Sequence, residues 1–200
     1  MWILISGPPG TSKHKIAKAL ESKEGFQYEA WSITVDEDLE PFSKELLYAT
    51  RHIRSQFELE AVRFKRNIVT IGSAWEAPIY SEVAFKRSDI KKEEVKVLRA
   101  LYSAFVDALK PPDAIIFMNC TDKMASFNKM LLDKKVIHQE AFMDILAAYD
   151  EFRGKLAPPV IEVEHGHTFD NIWHTVQFGI QSLKSGGLSG DTIWKKGIFK

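Results

Sequence analysis

Five short apolar runs, separated by stretches of helical spacing, set the pattern of this chain. Trp2–Ser6, Phe26–Trp31, Asn67–Ile71, Ala114–Asn119 and Val160–Val163 read as strands. Between them, apolar positions recurring at three and four residues predict helices over Lys13–Lys23, Pro41–Lys65, Lys91–Leu109, Thr121–Leu132, Gln139–Phe152 and Phe169–Leu183. The helix from Pro41 sets Leu46, Ile53, Phe57, Ala61 and Phe64 near one stripe and Tyr48, Arg51 and Arg54 on the other face. The helix from Lys91 turns Val95, Leu98, Leu101, Tyr102 and Phe105 inward, and Pro111-Pro112 ends it before the fourth strand. Strands that alternate with helices build a parallel sheet covered on both faces, so the expected class is α/β, a five-stranded parallel sheet flanked by helices in three layers.

The same pattern divides the chain. One domain is expected over 1–183, and 184–200 form a glycine-serine linker and a tail. In the tail Ile193, Trp194, Ile198 and Phe199 stand among Lys195, Lys196 and Lys200, and docking on protein is the expected use of those apolar groups. No internal repeat is apparent.

Composition narrows the function classes. With 45% apolar residues in 200, the chain can bury an ordinary core. Basic and acidic residues number 27 each, so no global field steers it to nucleic acid or a membrane. The single cysteine, Cys120, excludes an internal disulfide and reads as a core thiol. The N-terminal apolar run lacks a basic leader and is too short for a signal peptide, and no stretch nears the roughly 20 apolar residues of a membrane span. A soluble, cytoplasmic protein is expected. His165 and His167 share a turn with no further ligand nearby, an incomplete set for a metal.

The chemistry concentrates where the first strand meets the first helix, at Gly7-Pro-Pro-Gly-Thr-Ser-Lys-His14. In the G-x-x-x-x-G-K-[ST] pattern backbone N–H groups wrap phosphates, the lysine reaches the outer phosphates and the last hydroxyl holds magnesium. Aligned on Lys13, Gly7 matches the first glycine, but Ser12 replaces the second glycine and His14 the hydroxyl. The strand–loop–helix context fits a P-loop NTPase fold, with the helix N-terminus aimed at an anion. Gly7, Pro8, Pro9, Gly10, Thr11, Ser12, Lys13 and His14 are the candidate nucleotide-binding residues, and Thr11 or Ser12 is a candidate metal hydroxyl.

From this loop and three segments downstream, the chain resembles the deoxynucleoside kinases, relatives of the thymidylate kinases. Phe26-Gln-Tyr-Glu-Ala-Trp31 is similar to the family strand that ends in Glu-Pro with a tryptophan beyond. Trp75-Glu-Ala-Pro-Ile-Tyr-Ser81, with Phe85, resembles the Glu-Arg-Ser motif, although a shift would put Ser73 at its acidic position. The stretch from Pro112 through Asp150 resembles the family's strand, helix, basic lid and helix, and the turn after Val163 its adenine-contacting turn. The chain departs from the pattern at Ala77 and near Val83, where arginines are usual, and its lid carries Lys129, Lys134 and Lys135 instead of arginines.

The resemblance implies an ATP- and Mg2+-dependent phosphotransferase acting on a deoxynucleoside-like acceptor. Glu29 would be the general base and Lys13 would stabilise the transferring group. Glu76 would hold magnesium or position substrate, Lys134 and Lys135 would meet ATP phosphates, and Trp31, Tyr48, Arg51 and Phe85 would line the acceptor pocket. Two rivals stand beside it: a kinase of nucleoside monophosphates or of a modified base in DNA, and a catalytically inactive nucleotide-binding or structural subunit. A homodimer is compatible with it, nucleic acid would enter only as a substrate, and no membrane partner is expected.

Overall fold

The computed structural model describes residues 1–29, 38–106, 108–120, 139–155, 159–165 and 167–186. Its elements run β1 (Trp2–Ser6), α1 (Lys13–Glu24), β2 (Gln27–Glu29), α2 (Pro41–Val62), β3 (Ile68–Ile71), α3 (Ala77–Lys86), α4 (Lys92–Val106), β4 (Ala114–Cys120), α5 (Gln139–Arg153), β5 (Val160–His165) and α6 (Phe169–Lys184). The five strands form one parallel sheet in the order β2-β3-β1-β4-β5. The expected three-layer α/β class is therefore what the chain adopts.

Alternation along β1 explains the layers. Trp2 and Leu4 point to one face of the sheet and Ile3 and Ile5 to the other, as successive side chains of a strand must. Ile3 and Ile5 join a buried cluster with Ile16 and Leu20 of α1 and Ile172, Val176 and Ile180 of α6. Trp2 and Leu4 join Ile53 and Leu59 of α2, Ile79 and Val83 of α3 and Ile145 and Phe152 of α5. The Trp2 indole N–H is satisfied inside this second layer by Thr70 Oγ1 at 3.0 Å.

Three details differ from the sequence expectation. Helix α3 forms where the apolar spacing alone predicts no helix, and Pro78 near its first turn is its start signal. The buried face of α2 comprises Ala49, His52, Ile53, Gln56 and Leu59, whereas Phe57 and Phe64 are 46% and 73% exposed. Phe57 meets Phe105 edge-on instead, and Phe64 lies beyond the helix with Arg63 and Lys110 over its ring. Tyr48 consequently sits on the inward side of α2, edge-on to His52, and not on an outer face. The predicted helix Thr121–Leu132 and the tail 191–200 lie outside the described residues. Cys120 is partly buried beside Phe142 and Leu146.

Because β1 lies between β3 and β4 while the chain leaves it for β2, the strand order reverses beside β1. Open α/β sheets bind ligands in the crevice at that point, at the carboxyl ends of the strands. The Gly7–His14 loop opens there.

Candidate active site

The loop is fixed by close packing at its first glycine. Gly7 has φ of 130°, and a Cβ there would fall 2.6 Å from the Met118 carbonyl oxygen on β4. Only glycine allows that backbone approach. Gly10 also takes a positive φ, 80°. Ser12, by contrast, sits at φ −79° as the N-cap of α1, and its carbonyl accepts from the Lys15 and Ile16 amides. The serine at the second-glycine position is thus conformationally ordinary, and its Cβ meets no backbone conformation that demands glycine.

Lys13, the first residue of α1, turns its ammonium back into the loop and donates to the carbonyls of Gly7 and Pro8, the latter at 2.6 Å. Thr11 Oγ1 donates to the Pro8 carbonyl at 2.9 Å, so this hydroxyl helps to close the loop. His14 Nδ1 lies 2.7 Å from the Tyr28 hydroxyl, tying α1 to β2. Its imidazole is committed to a neighbouring strand and offers no magnesium hydroxyl.

Across from the lysine stands Glu76, the N-cap of α3, 3% exposed. Its Oε1 accepts from Ser6 Oγ at 2.8 Å and from the Tyr149 hydroxyl at 3.2 Å. Its Oε2 has no hydrogen-bond partner among the described residues and lies 3.8 Å from where a Gly72 Cβ would stand. Burial pushes the Glu76 carboxyl above its ordinary range; the Lys13 charge opposes this first, and the Ser6 and Tyr149 hydroxyls and the Gly7 amide oppose it further. The two charged groups line one pocket of about 180 Å3 with Tyr48, His52, Ile71, Gly72, Tyr80 and Tyr149. Burial depresses the His52 pKa to about 4, so this imidazole is neutral at physiological pH. Burial also holds the Tyr48, Tyr80 and Tyr149 hydroxyls in their protonated, donating form.

Of the residues expected from sequence, Lys13, Tyr48 and Glu76 meet in this pocket. Glu29 does not reach it: its half-exposed carboxylate accepts from Gln27 Nε2 at 2.6 Å and pairs with Arg66 at 3.7 Å. Phe85 packs partly buried against the α2–α4 cluster, with the Arg99 guanidinium over its ring, and is not a wall of the pocket. Arg51 is partly buried on α2 and does not line the pocket. Trp31, Lys134 and Lys135 lie outside the described residues.

Sequence reasoning missed Ser6, His52 and Tyr149. Ser6 carried a usable signal, a hydroxyl ending an apolar strand one residue before the loop. Tyr149 carried none, because its partner is 73 residues away.

What would bind here follows from the donor set. A glycine-bounded loop at a helix N-terminus with one lysine suits nucleotide phosphates. A buried carboxylate with one unpartnered oxygen beside that lysine suits a hydrated magnesium ion, which keeps most of its waters and needs one or two carboxylates. Among the described residues no group of three or more metal-ligating side chains exists, so an all-protein metal cage is not the device used. No helix of the described residues is long and apolar enough to cross a membrane.

No protein-family model matches the chain, and no curated protein sequence matches it. Solved structures do. The chain is similar to deoxyadenosine kinase from M. mycoides with the products dCMP and a flexible dCDP bound, at a TM-score of 0.77 and 18% identity over 91% of this chain and 100% of that one. The same kinase with bound dATP superposes at a TM-score of 0.76 and 16% identity, and with bound dCTP at 0.69 and 17%, each again over 91% of this chain and all of the other. This chain therefore has a deoxynucleoside kinase-like P-loop fold.

Proposed function

We propose that the protein transfers the γ-phosphoryl group of ATP, with Mg2+, to a hydroxyl of a neutral, deoxynucleoside-like acceptor. The observation that carries this is the convergence of Lys13 and Glu76, from the loop after β1 and the turn after β3, on one pocket at the carboxyl edge of the sheet. Phosphoryl transfer asks a protein chiefly for positioning and charge neutralisation, and these two residues supply both. Lys13 would meet the phosphates, and the open oxygen of Glu76 would help to hold hydrated magnesium, which would neutralise charge on the transferring phosphate. The ligands of the solved neighbours, dATP, dCTP, dCMP and dCDP, support a nucleotide as the ligand of this fold.

The neutrality of the acceptor rests on the pocket's charge. Tyr48, His52, Tyr80 and Tyr149 are uncharged, and Lys13 is the lone cation among its described lining residues. An acceptor already bearing a phosphate dianion would meet Glu76 with no protein cation besides Lys13 among the described lining residues to offset it. The hydroxyls and the neutral imidazole suit a sugar. No step is assigned to Glu29, whose carboxylate is held by Gln27 and Arg66.

One observation favours a second reading, a nucleotide-binding subunit without turnover: His14 stands where the metal hydroxyl is usual and is bound to Tyr28. Incubating the purified protein with ATP and magnesium against a panel of deoxynucleosides, nucleoside monophosphates and single-stranded DNA separates the two. Phosphorylated nucleoside is the expected product. ATP binding with no product from any acceptor selects the inactive subunit, and product from a monophosphate or DNA alone overturns the neutral acceptor.

A further inference from the structure

Glu76 presents its two oxygens very differently, and the difference is built by residues far away in sequence. Oε1 receives the Ser6 hydroxyl from the end of β1 and the Tyr149 hydroxyl from α5, while Oε2 is left without a hydrogen-bond partner among the described residues. The Tyr149 oxygen in turn lies 3.2 Å from the Tyr80 hydroxyl of α3. Tyr149 has a single proton to give, so when it goes to Glu76 the proton between the tyrosines must come from Tyr80. The result is a directed chain, Tyr80 to Tyr149 to Glu76, in which each donor polarises the next. Edge-on contacts with Tyr80 and Phe152 and a tilted one with Phe117 hold the Tyr149 ring in place.

We propose that Tyr149 is a positioning residue for the metal-nucleotide site: by occupying Oε1 together with Ser6, it orients Glu76 so that Oε2 alone faces the pocket shared with Lys13. This rests on the phosphotransferase reading above. Two donors to one oxygen stabilise the ionised form of a buried carboxylate and stop it from rotating its other oxygen away. Without the phenol, Glu76 would keep only the Ser6 hydroxyl on Oε1 among the described residues.

Tyr149→Phe preserves the ring and removes the hydroxyl, and two readouts follow it. The first is ATP affinity by titration calorimetry with and without magnesium. The metal-free affinity should hold within twofold, because Lys13 and the loop are untouched. The extra affinity conferred by magnesium should fall about tenfold, the loss expected for one hydrogen bond to a charged group.

The second readout is thermal unfolding, which needs no ligand, of Tyr149→Phe in the wild-type and in the Glu76→Ala background. A phenol that bonds the carboxylate should cost more Tm when removed from wild type than when removed from Glu76→Ala. An equal Tm loss in both backgrounds, or a loss of ATP affinity that is the same with and without magnesium, would make Tyr149 a packing residue and overturn the proposal. If wild-type ATP affinity ignores magnesium while the two Tm losses still differ, the metal reading falls, and with it the metal-directed role, whereas the orientation of Glu76 by Tyr149 stands.

Discussion

Ser6 donates to Glu76 Oε1 at 2.8 Å across 70 positions of sequence, fastening the end of β1 to the start of α3. That one bond joins the strand that launches the phosphate loop to the carboxylate that faces it. Removing it with Ser6→Ala leaves Tyr149 as the only side-chain donor to Oε1 among the described residues. A hydrogen bond to a charged group contributes about 1.5–3 kcal/mol, so turnover should drop roughly ten- to hundredfold. Steady-state kinetics should show the loss in kcat, with the acceptor KM nearly unchanged.

Glu45 yields a pH dependence of stability. On α2, near Tyr48 and Tyr102, its carboxyl is pushed up to about 7 by burial and then by the negative charge of Asp89. A folded pKa above the unfolded value means stability that is fully present below about pH 4.5 and is lost as pH rises through about 7. Glu45→Gln should therefore raise Tm relative to wild type at pH 8 and match it near pH 4. Thermal melts across that range check the sign; a variant less stable at pH 8 than at pH 4, relative to wild type, contradicts it.

The degenerate loop separates into two substitutions with different consequences. Ser12 has φ −79° and no side-chain capping bond, so Ser12→Gly should change ATP affinity less than twofold and cost a few tenths of a kcal/mol in stability. His14→Ser breaks the contact with Tyr28 but restores a hydroxyl near the metal position. Titration calorimetry should show tighter ATP binding with magnesium and unchanged binding without it. Tighter binding in both conditions would mean that the imidazole obstructs the nucleotide itself.

Glu29→Gln tests the base expected from the family resemblance. With its carboxylate on Gln27 and Arg66, the residue should matter little to chemistry, and kcat should fall less than tenfold. A fall of a hundredfold or more with acceptor KM unchanged would give Glu29 the base role.

Much of this architecture was legible because it is written in local patterns. The strand–loop–helix start, the alternation along β1 and the inward face of α4, with Val95, Leu98 and Tyr102 buried, all follow from residues within a few positions of each other. The α2 face was misjudged because its core side carries His52 and Gln56, polar residues that a hydrophobic stripe passes over. Within the site, Lys13 was readable from the loop and Glu76 from a motif. Ser6 offered only its place at the end of β1 and Tyr149 offered nothing, since the importance of both arises from a tertiary contact with a buried carboxylate. The place of Glu29 turned on Arg66, a partner that no motif announces.

The central claim is that Lys13, beside Glu76 at the carboxyl edge of the sheet, works on the phosphates of ATP. The most direct measurement is transfer of labelled γ-phosphate from ATP with magnesium to a deoxynucleoside, by wild type and by Lys13→Ala, with the fold of each verified by circular dichroism. Wild type should form labelled deoxynucleotide, and the variant should lose at least a hundredfold in rate with its fold retained. Equal rates in the two proteins would contradict the account.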